Sequence, residues 1–151
     1  GTFKLAGKLC DVMKESAYAA FSYVKSHAKE LNINEELFKE NDLHIHVPEG
    51  AVPKDGPSAG VALTTAIASL YSNRKVDHLL GMTGEINLRG KVMPIGGLRE
   101  KSIAANRSGL KKILIPKDNV KDLEDVPSTV LKELEIIPVG TIDEVLNIAL
   151  K

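Results

Sequence analysis

A single cysteine, Cys10, leaves no intramolecular disulfide to form and too few thiolates for a zinc cluster, so a reducing compartment is the default. Charge of one sign is also missing. Twenty basic residues face twenty acidic ones, and a formal net charge of zero gives no field to hold a nucleic-acid backbone or an anionic lipid surface. No apolar run is long enough to cross a bilayer, and the opening GTFKLAGKL lacks the apolar core of a signal peptide. These absences point to a cytosol or an organelle interior. Aromatic residues make up only 4%, but a hydrophobic content of 43% suffices for the core of one globular domain, and 151 residues leave little room for a second. The chain starts abruptly, without a linker-like tail, as a piece cut from something longer would.

What is present alternates between helical and extended periods, with no internal repeat. In LCDVMKESAYAAFSYVKSHAKEL, residues Leu9, Val12, Met13, Ala17, Ala20, Phe21, Val24, Ala28 and Leu31 recur at helical spacing and predict a long amphipathic helix. A short helix at NEELFKE leads into the strand DLHIHV, and Pro48 to Pro57 reads as a loop. SAGVALTTAIASLY is apolar or small nearly all round, which predicts a buried helix closed by the polar turn SNRK. HLLGMTGEI and KVMPI flank NLRG and together predict a hairpin. LREKSIAANRSG is a helix stopped by Gly109, KKILIP a strand, DNVKDLEDV a helix ended by Pro127, and ELEIIPV a strand. In the final TIDEVLNIALK, Thr141 precedes Glu144 at the capping-box spacing, which predicts a last helix. Strands and helices interleave throughout, so the fold class is α/β or α+β, built in layers as one domain over 1–151.

Two side chains carry candidate chemistry. Ser58 stands where a polar turn becomes the buried helix, and a serine there can simply accept the orphan N–H groups of the helix start. Gly56 and Gly60 on either side remove side chains, as a close backbone approach requires, and Pro57 stiffens the entry. A helix N-terminus also offers N–H groups and a positive dipole end to an oxyanion, which would suit Ser58 as a nucleophile if a base were at hand. Lys101 is one such base. On a helical wheel it falls beside Ala105 with Ser102, Ala104 and Ser108, opposite Arg99, Glu100, Asn106 and Arg107. A lysine on that small, apolar face either snorkels to water or loses its proton through burial, and a neutral amine beside a serine makes a hydrolytic pair. His44 and His46 share a strand face and offer a metal site or a base as an alternative to half-buried, hydrogen-bonded imidazoles. His27 and His78 read as structural or solvent-facing. No HExxH or GxSxG frame is present, which counts against a zincin or an α/β-hydrolase.

PKDGPSAG, followed by Lys101 in GGLREKS, with HIHVPEG ahead of it and GMTGEINLRGKVMPIGG between, closely resembles the proteolytic domain of the Lon protease family. The form is that of the bacterial and mitochondrial branch, and the likeness runs from about LCDVMKESA to EVLNIAL. The resemblance implies a Lon-type fold, a mixed sheet with packed helices, and a serine endopeptidase with a dyad of Ser58 as nucleophile and Lys101 as general base. It implies that Thr83 hydrogen-bonds and orients the lysine, and that Asp55 has a supporting or gating role. It further implies polypeptide substrates that are unfolded, damaged or regulatory, and a six-membered ring in the full-length protein. No cofactor belongs to this domain; ATP and Mg are expected only on an ATPase module upstream, since no GxxxxGK[ST] occurs here. The compartment implied is the bacterial cytoplasm, with the mitochondrial matrix as the alternative. Two residues depart from the family pattern: Cys10 stands where glycine is usual, and Arg99 where lysine is commoner. A non-catalytic, ring-forming scaffold of the same fold is the runner-up, and joint possession of Ser58 and Lys101 argues for the peptidase. A metal-dependent hydrolase using His44 and His46 is a third reading.

Overall fold

The computed structural model describes residues 1–6, 11–46 and 59–151. Its first unit contains a strand that the sequence pattern did not reveal: β1 (Phe3–Ala6) pairs in parallel with β2 (Leu43–His46), Phe3 opposite Leu43 and Ala6 opposite His46. Four residues are too short a run to show a period. Phe3 fixes the strand instead, stacking on Phe21 at 4.6 Å and meeting Tyr18 edge-on at 5.1 Å. Phe21 then meets Phe38, and Phe38 stacks on Tyr71 at 4.4 Å. The few aromatic residues are thus concentrated in one ladder joining β1 to the helices behind it.

Helix α1 (Asp11–Ser26) ends earlier than its apolar spacing predicts. The Tyr23 carbonyl accepts the His27 N–H at 3.0 Å and the Ser26 hydroxyl at 3.1 Å, and the chain then turns, with Asn32 at φ 57°. Ala28 and Ile33 stay buried through the turn, so the apolar pattern outlasts the helix. The short α2 (Glu36–Glu40) follows as expected.

Helix α3 (Gly60–Ser72) packs on α1 and is buried along most of its length. Its two buried threonines are satisfied internally: the Thr64 hydroxyl donates to the Gly60 carbonyl at 2.7 Å and that of Thr65 to Val61 at 2.9 Å. The helix closes at Asn73 in the left-handed conformation, inside the predicted polar turn.

The predicted hairpin is half right. β4 (Glu85–Ile86) and β5 (Val92–Met93) are antiparallel and flank the turn at NLRG, but β3 (Leu80–Met82) belongs to another sheet. There it pairs in parallel with β6 (Lys112–Pro116), which pairs in parallel with β7 (Glu135–Val139). The order is β3-β6-β7. Among the described residues the mixed character is therefore divided between two parallel sheets and one antiparallel pair.

Period-two alternation on the central β6 builds two cores. Leu114 joins Val24, Val61, Val139, Val145 and Leu146 on one face, with α1, α3 and α6 (Ile142–Ala149). Ile113 and Ile115 join Leu98, Ala105, Val130 and Leu134 on the other, under α4 (Leu98–Arg107) and α5 (Ser128–Glu133). Helices on both faces of a parallel sheet make this an α/β layered domain. Lys117–Asp125, predicted as α-helix, is a 3-10 run, tied down by Asn119. Pro127 ends that run but also opens α5, its carbonyl accepting the Val130 N–H at 3.0 Å; a proline that stops one helix can start the next. Thr141 caps α6, accepting the Glu144 N–H at 3.3 Å, and the Glu144 carboxylate returns to the Gly140 N–H. No helix of the described residues is long and apolar enough to cross a membrane.

Gly90 closes the NLRG turn with φ +82°, and a Cβ there would lie 2.6 Å from the Tyr23 ring. Tyr23 cannot give way easily, because its hydroxyl donates to Asp143 at 3.1 Å. Gly90→Ala is expected to lower stability by about 1–3 kcal/mol through backbone strain and that clash. Thermal unfolding followed by circular dichroism checks it; an unchanged midpoint contradicts the argument.

Candidate active site

The carboxyl end of β3 organises the site. Thr83 follows the strand directly, its N–H donating to the Leu114 carbonyl at 3.1 Å, and its side chain is only 4% exposed. The chain then leaves β6, and Gly84 and Glu85 start the hairpin. Lys101 reaches the same place from α4, one turn from the helix start, where its N–H donates to the Gly97 carbonyl at 3.0 Å. Thr83 and Lys101 line one pocket of about 290 Å³ with Gly81, Met82, Ala104 and Ala105. Lys101 is half-buried there, at the margin of the buried stripe formed by Leu98, Ser102 and Ala105. The helical wheel placed Ala104 and Ser108 in the same apolar sector; both are exposed.

The expected hydrogen bond between Thr83 and Lys101 is not made in this arrangement. Among the described residues the Thr83 hydroxyl is buried and unpartnered, as is that of the neighbouring Ser102, which is 0% exposed. The two site residues share a pocket rather than a bond.

The start of α3 is fastened to the segment just after Thr83. The Gly60 N–H donates to Glu85 Oε1 at 3.0 Å, the Val61 N–H to the Gly84 carbonyl at 2.9 Å, and Ser16 Oγ to Glu85 Oε2. Gly60 is needed for this: a Cβ there would stand 2.9 Å from the Ile86 nitrogen. The close backbone approach inferred from the glycine is real at this position, and the approaching backbone is β4. Ala59, the residue preceding the helix, contributes no side-chain cap. The Gly60 and Val61 N–H groups, being engaged by β4, are not oxyanion donors as arranged here, which narrows the general expectation for the helix start. Ser58, Asp55, Gly56 and Pro57 lie outside the described residues, as does Cys10.

The histidines lie elsewhere. His44 and His46 are on one face of β2, both exposed rather than half-buried, and His44 borders a different, apolar pocket with Leu63 and Leu70. His27 stacks on Tyr23 at 3.9 Å between ring centres, and His78 is exposed. Among the described residues no group of three metal-ligating side chains converges. Sequence reasoning missed Glu85, Ser16 and Asn119. The Asn119 amide clamps Ile95 through both its N–H, at 2.9 Å, and its carbonyl, at 2.8 Å, which fixes the approach to α4. No short-range pattern signals any of the three, since each works across a long stretch of chain.

The family model for the Lon protease (S16) C-terminal proteolytic domain matches residues 1–151. The sequence is 57% identical over 150 residues to the Lon protease of Desulforamulus reducens, covering 99% of this chain and 18% of that protein. It is 59% identical over 150 residues to the Lon protease of Azospirillum brasilense, with 99% and 18% covered. Against the Lon protease of Trichlorobacter lovleyi the identity is 55% over 151 residues, with 100% and 18% covered. The chain thus spans about a fifth of the length of these relatives.

A buried hydroxyl without a partner costs about 1–3 kcal/mol. Thr83→Val and Ser102→Ala, which remove the two orphans with little change of shape, are each expected to raise stability by about 1 kcal/mol. Denaturant unfolding measures this, and a loss of stability in both would show that the hydroxyls are hydrogen-bonded in solution.

Proposed function

The chain belongs to the family of Lon protease (S16) C-terminal proteolytic domains, and on that premise we propose that it is the serine-peptidase part of a longer ATP-dependent protease, with Ser58 as nucleophile and Lys101 as general base. One observation carries the assignment of residues. Thr83 and Lys101 line one pocket, and the first turn of α3 is hydrogen-bonded to the two residues that follow Thr83. Ser58 stands two residues before Gly60, and two residues of chain span roughly 7 Å at most. Ser58 itself lies outside the described residues, and its role rests on the PKDGPSAG motif and on the family.

In this reading Lys101 reacts as the neutral amine. It takes the Ser58 proton as Oγ attacks the peptide carbonyl. The charged lysine then protonates the leaving amine, and water, activated by the same amine, releases the acyl group. Backbone N–H groups hold the oxyanion; with those of Gly60 and Val61 engaged, the donors come from outside that pair. Thr83 orients the lysine once the pocket tightens around substrate, and Asp55 serves the serine loop in a supporting or gating role. ATP and Mg act on an upstream ATPase module, and no residue of this domain is assigned to them. The substrates are unfolded or damaged polypeptides, the full-length assembly is a hexameric ring, and the compartment is the bacterial cytoplasm, in keeping with the bacterial sources of the relatives.

Ser58→Ala and Lys101→Ala are each expected to abolish peptide hydrolysis while leaving the circular-dichroism spectrum and unfolding midpoint intact. A serine-directed acylating inhibitor should modify Ser58 alone, located by mass spectrometry. Undiminished hydrolysis in either variant would remove the dyad, and a wild-type protein without hydrolysis would leave the chain as a scaffold. Thr83→Val should lower kcat by about tenfold or more, the scale of a lost orienting hydrogen bond to a catalytic group. Because the base must be unprotonated, kcat/KM is expected to rise with pH from the neutral into the alkaline range; a plateau extending into acid would rule out a lysine base.

A further inference from the structure

We propose that Glu85 is the positioning residue that sets the first turn of α3, which follows Ser58 in sequence, against the segment that follows Thr83; this rests on the assignment of Ser58 and Lys101 above. Both its carboxylate oxygens are engaged, Oε1 by the Gly60 N–H at 3.0 Å and Oε2 by the Ser16 hydroxyl of α1. A side chain held at both oxygens has one pose. Gly60 follows Ser58 by two residues, and Glu85 follows Thr83 by two, so a single carboxylate spans the two halves of the site.

The choice of a distant cap is the informative point. A Ser, Asp or Asn immediately before the helix would satisfy the same N–H without fixing where the helix lies. Ala59 stands there instead, and the first N–H is served from β4. A local cap travels with its helix; Glu85, the first residue of β4, ties the helix to the segment that follows Thr83. The bond is charge-assisted and lies at the positive end of the helix, which favours this one acceptor. The fit is tight: the absent Cβ of Gly60 would meet Glu85 Oε2 at 3.0 Å, and the Val61 N–H to Gly84 bond at 2.9 Å sets the register beside it. Displacing a nucleophile by about 1 Å can cost on the order of a hundredfold in rate.

Reach and charge can be separated. Glu85→Gln keeps the length and one acceptor, and its amide N–H can donate to the Ser16 hydroxyl; Glu85→Asp keeps the charge but is one methylene short; Glu85→Ala loses both. In the full-length protein, the rate of Ser58 acylation by a fluorophosphonate is measured per folded molecule, together with kcat and KM on an unstructured fluorogenic peptide. Glu85→Gln should stay within about threefold of wild type, while Glu85→Asp and Glu85→Ala acylate at least about tenfold more slowly, with the loss in kcat rather than KM. A purely structural role would lower the unfolding midpoint and leave acylation per folded molecule unchanged. Equal rates across the variants, or a Gln variant as slow as the Ala one, overturn the proposal. If Glu85→Ala does not fold, the comparison of Asp with Gln decides. Wild-type protein unlabelled at Ser58 would overturn the dyad itself, an outcome distinct from uniform labelling of every variant.

Discussion

The first turn of α3 takes its hydrogen bonds from β4, and much of the structure follows from that. A helix start normally satisfies itself with a local side chain or with water. Here the Gly60 and Val61 N–H groups go to Glu85 and Gly84, so the helix is located by the hairpin rather than merely capped. The hairpin is itself located by the far end of the chain. Val92 donates to the Gly140 carbonyl at 2.9 Å, and Ile142 donates to the Gly90 carbonyl at 2.8 Å. Those bonds fasten β5 to the junction of β7 and α6. The position of the helix that follows the candidate nucleophile in sequence thus depends on contacts made by residues near 140, far from it along the chain.

Why the site forms at the end of β3 is a matter of topology. Helices α3 and α4 pack against opposite faces of the β3-β6-β7 sheet, with Val61 in one core and Leu98 in the other. A sheet between them would keep their side chains apart. Among the described residues β3 is an edge strand of only three residues, and beyond Met82 none of the described residues forms a strand between the two layers there. Residues from both faces can meet only past that end, where Thr83 sits. This agrees with the general tendency of α/β sheets to place ligands outside the carboxyl ends of their strands.

Elements with strong local signals were legible in the sequence. The buried α3 was read from its nearly continuous apolar character, β6 and β7 from short β-branched runs, and α6 from its capping spacing. β1 was missed because four residues hold no usable period, and α5 because Pro127 was taken only as a stop. HLLGMTGEI was read as one arm of a hairpin although Thr83 divides it between two sheets; pairing partners are a non-local choice that composition does not encode. The same division holds in the candidate site. Lys101 was singled out as the candidate base from its own helix and the motif around it. Glu85 lies within the quoted MTGEI but reaches its partners across long stretches of chain, and only the fold brings them together.

The orphan hydroxyls of Thr83 and Ser102 show how such a site differs from ordinary core. Among the described residues both atoms are buried without a partner, and an unpaired buried hydroxyl weakens a fold. Ser102 points with Leu98 and Ala105 into the α4 face of the core, where an alanine would serve the packing equally well. Thr83 instead opens onto the pocket shared with Lys101. A hydroxyl is both donor and acceptor, so in the reading proposed above it would suit either the ammonium or the free amine. The cost carried at the end of β3 thus has a counterpart in the role proposed for Thr83, whereas that of Ser102 has none.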